Sequence, residues 1–319
     1  MVAEAAEGTG RFGLAPVGPY SISASARFLE GFAPAHYEGG GPEHLRFAFV
    51  ADDLDRSEQV AGAYIYPESE KVVIETYGEA PPQTVRDQVE RVLSLDVDGS
   101  RFPEVGERDP VVGGLQQRYP GLRPVCFYSP YEAAAWAIIG NRIRIVHAAK
   151  VKARMAEELG EPVQIRGKNE QAFPGPSRLL HLDGFPGLSG RKAEYLRTLA
   201  RAALAGKLEA SYLRSLTTTE ALASLKESPG IGDFSAELIL LRGAGEPDQQ
   251  PTREPRLARA IAMAYGLAER PTAEEVLEIS EGWRPYRTWV ALHLRTMLED
   301  ETNEIAGGTR SSRSRPAQA

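Results

Sequence analysis

Apolar residues in the first hundred positions fall in short runs; after about residue 105 they recur with a helical period. "HLRFAFVA" (44–51) and "VAGAYIYPESEKVVIETYG" (60–78) are rich in Val, Ile, Tyr and Phe, side chains that pack well on a pleated surface. The second run turns through Pro67-Glu68-Ser69-Glu70, which predicts a hairpin. Residues 20–32, "YSISASARFLEGF", alternate and then run apolar. In "TVRDQVERVLSLD" (84–96), Val85, Val89, Val92 and Leu93 share one helical stripe. Together these elements predict a small α+β domain over residues 16–105, one helix packed on an antiparallel sheet, behind a flexible stretch of residues 1–15. Nothing within it has catalytic spacing.

A Pro/Gly-rich boundary, "DGSRFPEVGERDPVVGG", separates this unit from an almost wholly helical region, residues 106–300. Helical patterns cover 128–160, 189–208, 217–228, 232–243, 254–266, 272–283 and 286–301. The first begins at Ser129 with Glu132 three residues on, a capping-box pattern. Short Gly/Pro-marked connections between most of the helices are those of a compact bundle. Trp136, Trp283 and Trp289 are expected in its core. Residues 301–319, ending "AGGTRSSRSRPAQA", are low in apolar content and read as a disordered tail. The fold class is therefore mainly α, with an N-terminal α+β domain.

Composition narrows the chemistry. A chain of 319 residues with 42% hydrophobic content can bury a substantial core. Its single cysteine, Cys126, excludes an internal disulfide framework, a cysteine zinc site and a four-cysteine iron–sulfur cluster. That cysteine usage fits a reducing cytoplasm. The opening "MVAEAAEGTGRFG" has no signal-peptide core, and no window approaches the ~18 consecutive apolar residues of a membrane span, so no membrane association is expected. His36, His44, His147, His181 and His293 show no metal-ligand spacing. A net charge of -7 argues mildly against an extended nucleic-acid surface, although the field at one patch matters more than the sum.

The stretch "LKESPGIGDFSAELI" (225–239) carries the first specific chemistry. Pro229 ends one helix, and Gly230 and Gly232 permit a tight turn with positive φ and no Cβ over the surface. The next helix starts at about Asp233, so unpaired N–H groups converge on the turn. Such a site favours an anion, and on DNA it grips one phosphate without reading sequence. The backbone carbonyls of Ser228 and Ile231 point the other way and suit a monovalent cation, sodium or potassium; no cofactor is required. Alone, Pro229-Gly230-Ile231-Gly232 does not decide between a phosphate grip and a plain helix connection.

Four segments taken in order do more. "YPGLRPVCFYSPYEAAAWAIIGNRIRIVHAAKVKARM", "LDGFPGLSGRKAEYLRTLARAALAG", "SPGIGDFSAELILLRGAGEPDQQPTREPRLARAI" and "GWRPYRTWVALHLR" together resemble the DNA-3-methyladenine glycosylase II family, within the helix–hairpin–helix–Gly/Pro/Asp superfamily of DNA glycosylases. The resemblance covers about residues 105–298. It implies a helical bundle holding a helix–hairpin–helix at about 222–243, split by a DNA-facing cleft. Double-stranded DNA with damaged bases is the implied partner, bound by a monomer. Such enzymes extrude the damaged nucleotide, because its glycosidic bond is unreachable within the stack.

The family's catalytic carboxylate is an aspartate capping the helix after the Gly/Pro loop. Counting through "DQQPTREPRL" places Glu254 there, and Pro255 at the first helical position supports that register. Glutamate has the charge but one more methylene, and the alternative is a plain first-turn glutamate complementing the helix dipole. Asp248, earlier in the loop, is the fallback. The implied base pocket contains Phe234, placed to stack on a flipped base; Leu238, where some members have tyrosine; and Arg295, replacing a usual tryptophan. Arg295 either opposes a cationic alkylpurine, pairs with Glu254, or points into solvent. Phe234 also stands where strand-cleaving relatives carry a nucleophilic lysine, so no Schiff base forms. Leu122, Pro124 and Val125 match the wedge that fills the vacated stack. Asn141 stands where the family commonly has glutamine near that space. Arg142, Arg144, Lys150, Lys152 and Arg154 form a basic run that either touches phosphates or is a solvated helix face. The expected function is monofunctional excision of 3-methyladenine- and 7-methylguanine-type bases. The alternative is a damaged-DNA-binding protein that has lost or weakened catalysis.

Overall fold

A computed structural model describes residues 9–32, 43–52 and 58–302. Four antiparallel strands, β1 (Gly10–Leu14), β2 (Leu45–Val50), β3 (Val60–Glu68) and β4 (Lys71–Gly78), form one sheet in the order β1-β4-β3-β2. The predicted hairpin is β3–β4, with Ile65 opposite Ile74 and the turn at Ser69 and Glu70. One sheet face buries Phe47, Phe49, Ile65 and Ile74 against helices α1 (Ile22–Glu30) and α2 (Pro82–Val92). The sheet thus carries two helices rather than the single one expected. The run around α1 reads poorly because its apolar residues are interleaved with small serines and alanines.

Part of the stretch expected to be flexible, residues 1–15, is ordered: β1 pairs with β4 and sets Phe12 opposite Ile74. Two glycines and an arginine in "GRFGL" dilute its strand signal. The Pro/Gly-rich boundary also folds, into α3 (Phe102–Arg108) and α4 (Pro110–Arg118). Both prolines stand in first turns, where no N–H is missed, and Asp109 caps α4 by accepting from Val111 and Val112. Its glycines serve packing: a Cβ on Gly113 would lie 2.7 Å from the Gly106 carbonyl oxygen.

The long pattern at 128–160 splits into α5 (Pro130–Gly140) and α6 (Ile145–Leu159), broken where Arg142 takes a positive φ of 56°. Ser129 caps α5, but the Glu132 carboxylate turns away to Lys152 Nζ at 2.6 Å. A second hairpin, β5 (Pro162–Ile165) and β6 (Lys168–Gln171), interrupts the expected all-helical region. Val163 and Ile165 of this hairpin cover the other sheet face beside Ala48 and Tyr77.

The remaining helices are α7 (Pro176–Leu179), α8 (Lys192–Leu204), α9 (Ala210–Ser215), α10 (Thr218–Lys226), α11 (Asp233–Ile239), α12 (Pro255–Tyr265), α13 (Ala273–Glu281) and α14 (Arg287–Thr302), with a π-helical turn, Leu240–Ala244, continuing α11. They divide between two apolar cores. One joins α5, α6, α8, α10 and α11 around Trp136, Leu196 and Ile239. The other joins α3, α4, α12 and α14 around Trp283 and Trp289. The loop 245–254 passes from the first to the second. The expected tail lies, from residue 303, outside the described residues; Glu301 and Thr302 still belong to α14.

Candidate active site

The hairpin between α10 and α11 closes with the Ile231 N–H donating to the Ser228 carbonyl at 3.1 Å. Gly230 has φ +92°, and a Cβ there would lie 2.7 Å from the Tyr195 ring, so position 230 requires glycine. Gly232 differs from expectation: its φ of -96° with ψ -175° is extended backbone, open to any residue. What its missing Cβ provides is space, since nothing lies within 4 Å of that position. Gly232 caps α11 with no side-chain hydrogen bond, leaving first-turn N–H groups facing outward. Asp233, exposed in that turn, is drawn sideways to Lys226 Nζ at 3.0 Å and Arg253 at 3.8 Å. Lys226 holds the Asp233 carboxyl below its ordinary range.

Phe234 is 48% exposed on the first turn of α11. Leu238, one turn on, is half-buried against the first core. Between them Glu237 reaches across to the loop before α12. One of its carboxylate oxygens accepts the Thr252 and Arg253 N–H groups, at 3.1 and 2.9 Å, and the other accepts the Thr252 hydroxyl.

Glu254 follows immediately. It is the N-cap of α12 in extended conformation, and its carboxylate accepts from the Arg256 N–H at 3.3 Å. The other carboxylate oxygen meets Arg295 Nη1 at 3.2 Å, with the Glu254 side chain only 12% exposed. Of the three dispositions open to Arg295, pairing with Glu254 is the one observed. Arg295 Nε is buried without a hydrogen-bond partner. Nearby Arg242, from the π turn, is buried with its guanidinium over Phe28 and Phe32 at 5.1 and 4.9 Å. Burial lowers Arg242 to about 10.

Asp248 has a different environment. It accepts Arg284 Nη1 and Arg287 Nε, both at 2.9 Å, and Arg284 and Arg287 also reach Glu281. Thr288 continues the attachment, its N–H donating to the Pro247 carbonyl and its hydroxyl to the Gln249 carbonyl. Asp248 therefore fastens the start of the loop to the start of α14, while Glu254 meets the same helix two turns later.

The expected wedge is not presented. Leu122, Pro124 and Val125 are all buried, because their segment is stapled on every side. Arg123 donates to the carbonyls of Val17, Pro19, Ser94 and Val97. Ser94 Oγ donates to the Pro124 carbonyl, and Arg242 to the Val125 carbonyl. The basic run also separates. Lys152 is buried on Glu132 and Arg154 pairs with Glu158, whereas Asn141, Arg142, Arg144 and Lys150 are exposed. Arg144, His147 and Lys150 rim a surface depression with Ile143 and Val146. Among the described residues no group of three or more His, Cys, Asp or Glu could hold a metal ion.

No family model matches the chain. It is 26% identical over 210 residues to the DNA-3-methyladenine glycosylase of Bacillus subtilis, covering 65% of this chain and 69% of that one. It is 29% identical over 218 residues to a Mycobacterium tuberculosis protein described as a probable bifunctional transcriptional activator/DNA repair enzyme AlkA, covering 67% of this chain and 42% of that one. Among solved structures, the 3-methyladenine DNA-glycosylase from Archaeoglobus fulgidus superposes with a TM-score of 0.73 at 25% identity, covering 92% of this chain and 99% of that one. In both sequence and fold the chain is similar to DNA-3-methyladenine glycosylases. An 8-oxoguanine glycosylase/lyase from Clostridium acetobutylicum (TM-score 0.59, 20% identity) shares the fold alone. Within this glycosylase fold, the structure brings Glu254 and Arg295 into contact and joins α11, with Phe234, to the loop before Glu254. Sequence reasoning missed Glu237, a lone helical carboxylate whose partners lie fifteen and sixteen residues later.

Proposed function

We propose that this protein is a monofunctional DNA glycosylase. It extrudes alkylated bases of the 3-methyladenine and 7-methylguanine type from double-stranded DNA and hydrolyses their N-glycosidic bonds. The observation that carries the reading is the placement of Glu254: a recessed carboxylate at a helix start, one clamped loop away from a hairpin of free amides. In this reading the hairpin takes one phosphate, helped by the room at Gly232 and the side chains of Lys226 and Arg253. The carbonyls of Ser228 and Ile231 hold a sodium or potassium ion on its far side. Asn141, Arg142, Arg144 and Lys150 extend the phosphate track.

Phe234 stacks on the flipped base, with Leu238 behind it. Glu254 stabilises positive charge developing at the sugar as the base departs, or orients the attacking water. Preorganised charge of this kind stabilises the transition state by ~3–4 kcal/mol. Phe234 offers no amine, so the abasic strand stays intact. The protein acts as a monomer.

Incubation with alkylated duplex and mass analysis of the released bases tests the reading. Free 3-methyladenine or 7-methylguanine, with an uncleaved abasic strand, is the expected result. Binding to an abasic-analogue duplex without release of any base would instead mark a damage-binding protein, in which Arg295 keeps Glu254 occupied.

A further inference from the structure

We infer that Glu237 is a positioning residue for base excision: it sets the cap of α12, and so the Glu254 carboxylate, against the hairpin helix. This rests on the glycosylase reading above. Glu237 makes three hydrogen bonds across the seam between the two cores, two to successive backbone N–H groups and one to the Thr252 hydroxyl. The residues it holds, Thr252 and Arg253, are those directly before Glu254. The first helical residue of α12, Pro255, has no N–H with which to bond the cap. Glu237 also lies three residues after Phe234, on the helix that would carry the stacking ring. One rigid element therefore sets both the base and the distance from carboxylate to sugar.

The long glutamate at position 254 makes that anchor matter. Its extra methylene adds a rotatable bond, and its cap bond to Arg256 is long at 3.3 Å. Its remaining hold is Arg295, an arginine with an unpartnered Nε. A catalytic group displaced by ~1 Å loses roughly 100-fold in rate.

The anchor works through hydrogen-bond geometry rather than charge, and two substitutions separate these. Glu237→Gln keeps an oxygen for the two N–H groups and offers an amide to the threonine hydroxyl, which can accept. Glu237→Ala removes all three bonds. With 7-methylguanine duplex under single-turnover conditions, Glu237→Ala is expected to slow release by roughly 10- to 100-fold, with affinity for an abasic-analogue duplex within about 3-fold of wild type. Glu237→Gln should stay within about 5-fold of wild type in rate. Amide exchange at Thr252 and Arg253, read without DNA, should quicken in Glu237→Ala and not in Glu237→Gln.

Unchanged exchange in Glu237→Ala would overturn the anchor whatever the activity. A fast Glu237→Ala enzyme would overturn its catalytic consequence. A Glu237→Gln enzyme as slow as Glu237→Ala would show that charge, not geometry, is what position 237 supplies. Wild-type protein that releases no base would remove the glycosylase reading and, with it, any reaction for Glu237 to position.

Discussion

The two loop carboxylates illustrate how much one residue's surroundings decide. Asp248 is bound by two arginines and fastens the loop to α14, whereas Glu254 caps a helix and faces one arginine. Asp248→Asn is expected to lower stability by about 1–2 kcal/mol, discounted for the half-exposed Arg284, and to leave the rate per folded molecule nearly unchanged; denaturation and single-turnover assays read these separately. Arg295 places a cation against the Glu254 carboxylate, and in the proposed reaction that cation would also oppose a positively charged alkylpurine, which a tryptophan face would favour. Arg295→Trp should therefore raise release of 7-methylguanine relative to a neutral base such as hypoxanthine, measured as a ratio of rates on paired duplexes. The helix-cap position of Glu254 was legible because Pro255 fixes a helix start in sequence. Burial of Leu122, Pro124 and Val125 was not legible, since it depends on Arg123 and Arg242 reaching carbonyls from elsewhere in the chain.

At the level of elements, the hairpin's two glycines do different work. Gly230→Val combines a positive φ with a clash against Tyr195, so it should destabilise by more than ~1 kcal/mol and weaken binding on unrelated DNA sequences alike. Gly232→Ala should fold normally, because its Cβ enters open space. If the hairpin grips a phosphate as proposed, it should nonetheless bind DNA less tightly, since that Cβ would stand in the phosphate's way; unchanged affinity in a titration at near-physiological salt would sink the phosphate grip. The cap of α10 makes a simpler case: Thr217 and Glu220 form a reciprocal box, and Thr217→Ala should cost about 1 kcal/mol in thermal or chemical denaturation. Helices with a clear apolar stripe were legible in the sequence. The edge strand β1, the hairpin β5–β6 and helices α3 and α4 were not, because pairing and glycine-mediated packing, rather than periodicity, define them.

Across the whole molecule, two cores meet at a seam, and the loop 245–254 bridges it. Exposed Arg144 and Lys150 lie on the first core's side. If they touch phosphates, removing either should reduce the salt dependence of binding by about 0.9 in log–log slope, despite the net charge of -7. The second core carries a pH liability in His293, buried among Phe102 and Tyr119 and lowered to about 4 by that burial. The unfolded chain, with its imidazole near the ordinary ~6.5, binds the proton first as pH falls. Stability should thus hold above about pH 6.5 and decline toward about pH 4, by on the order of 3 kcal/mol from this group; denaturation at the two ends should show a smaller decline in His293→Gln. The N-terminal sheet and the run of helices after it were legible from the change of period alone, while the split of the helices between two cores was hidden, because helices of both cores share one apolar pattern. The most direct test of the placement at the seam is single-turnover base release by Glu254→Gln beside Asp248→Asn on the same alkylated duplex. Loss of roughly 100- to 1000-fold or more in Glu254→Gln with near-normal abasic-analogue binding, and little loss in Asp248→Asn, is expected; an active Glu254→Gln enzyme would contradict it.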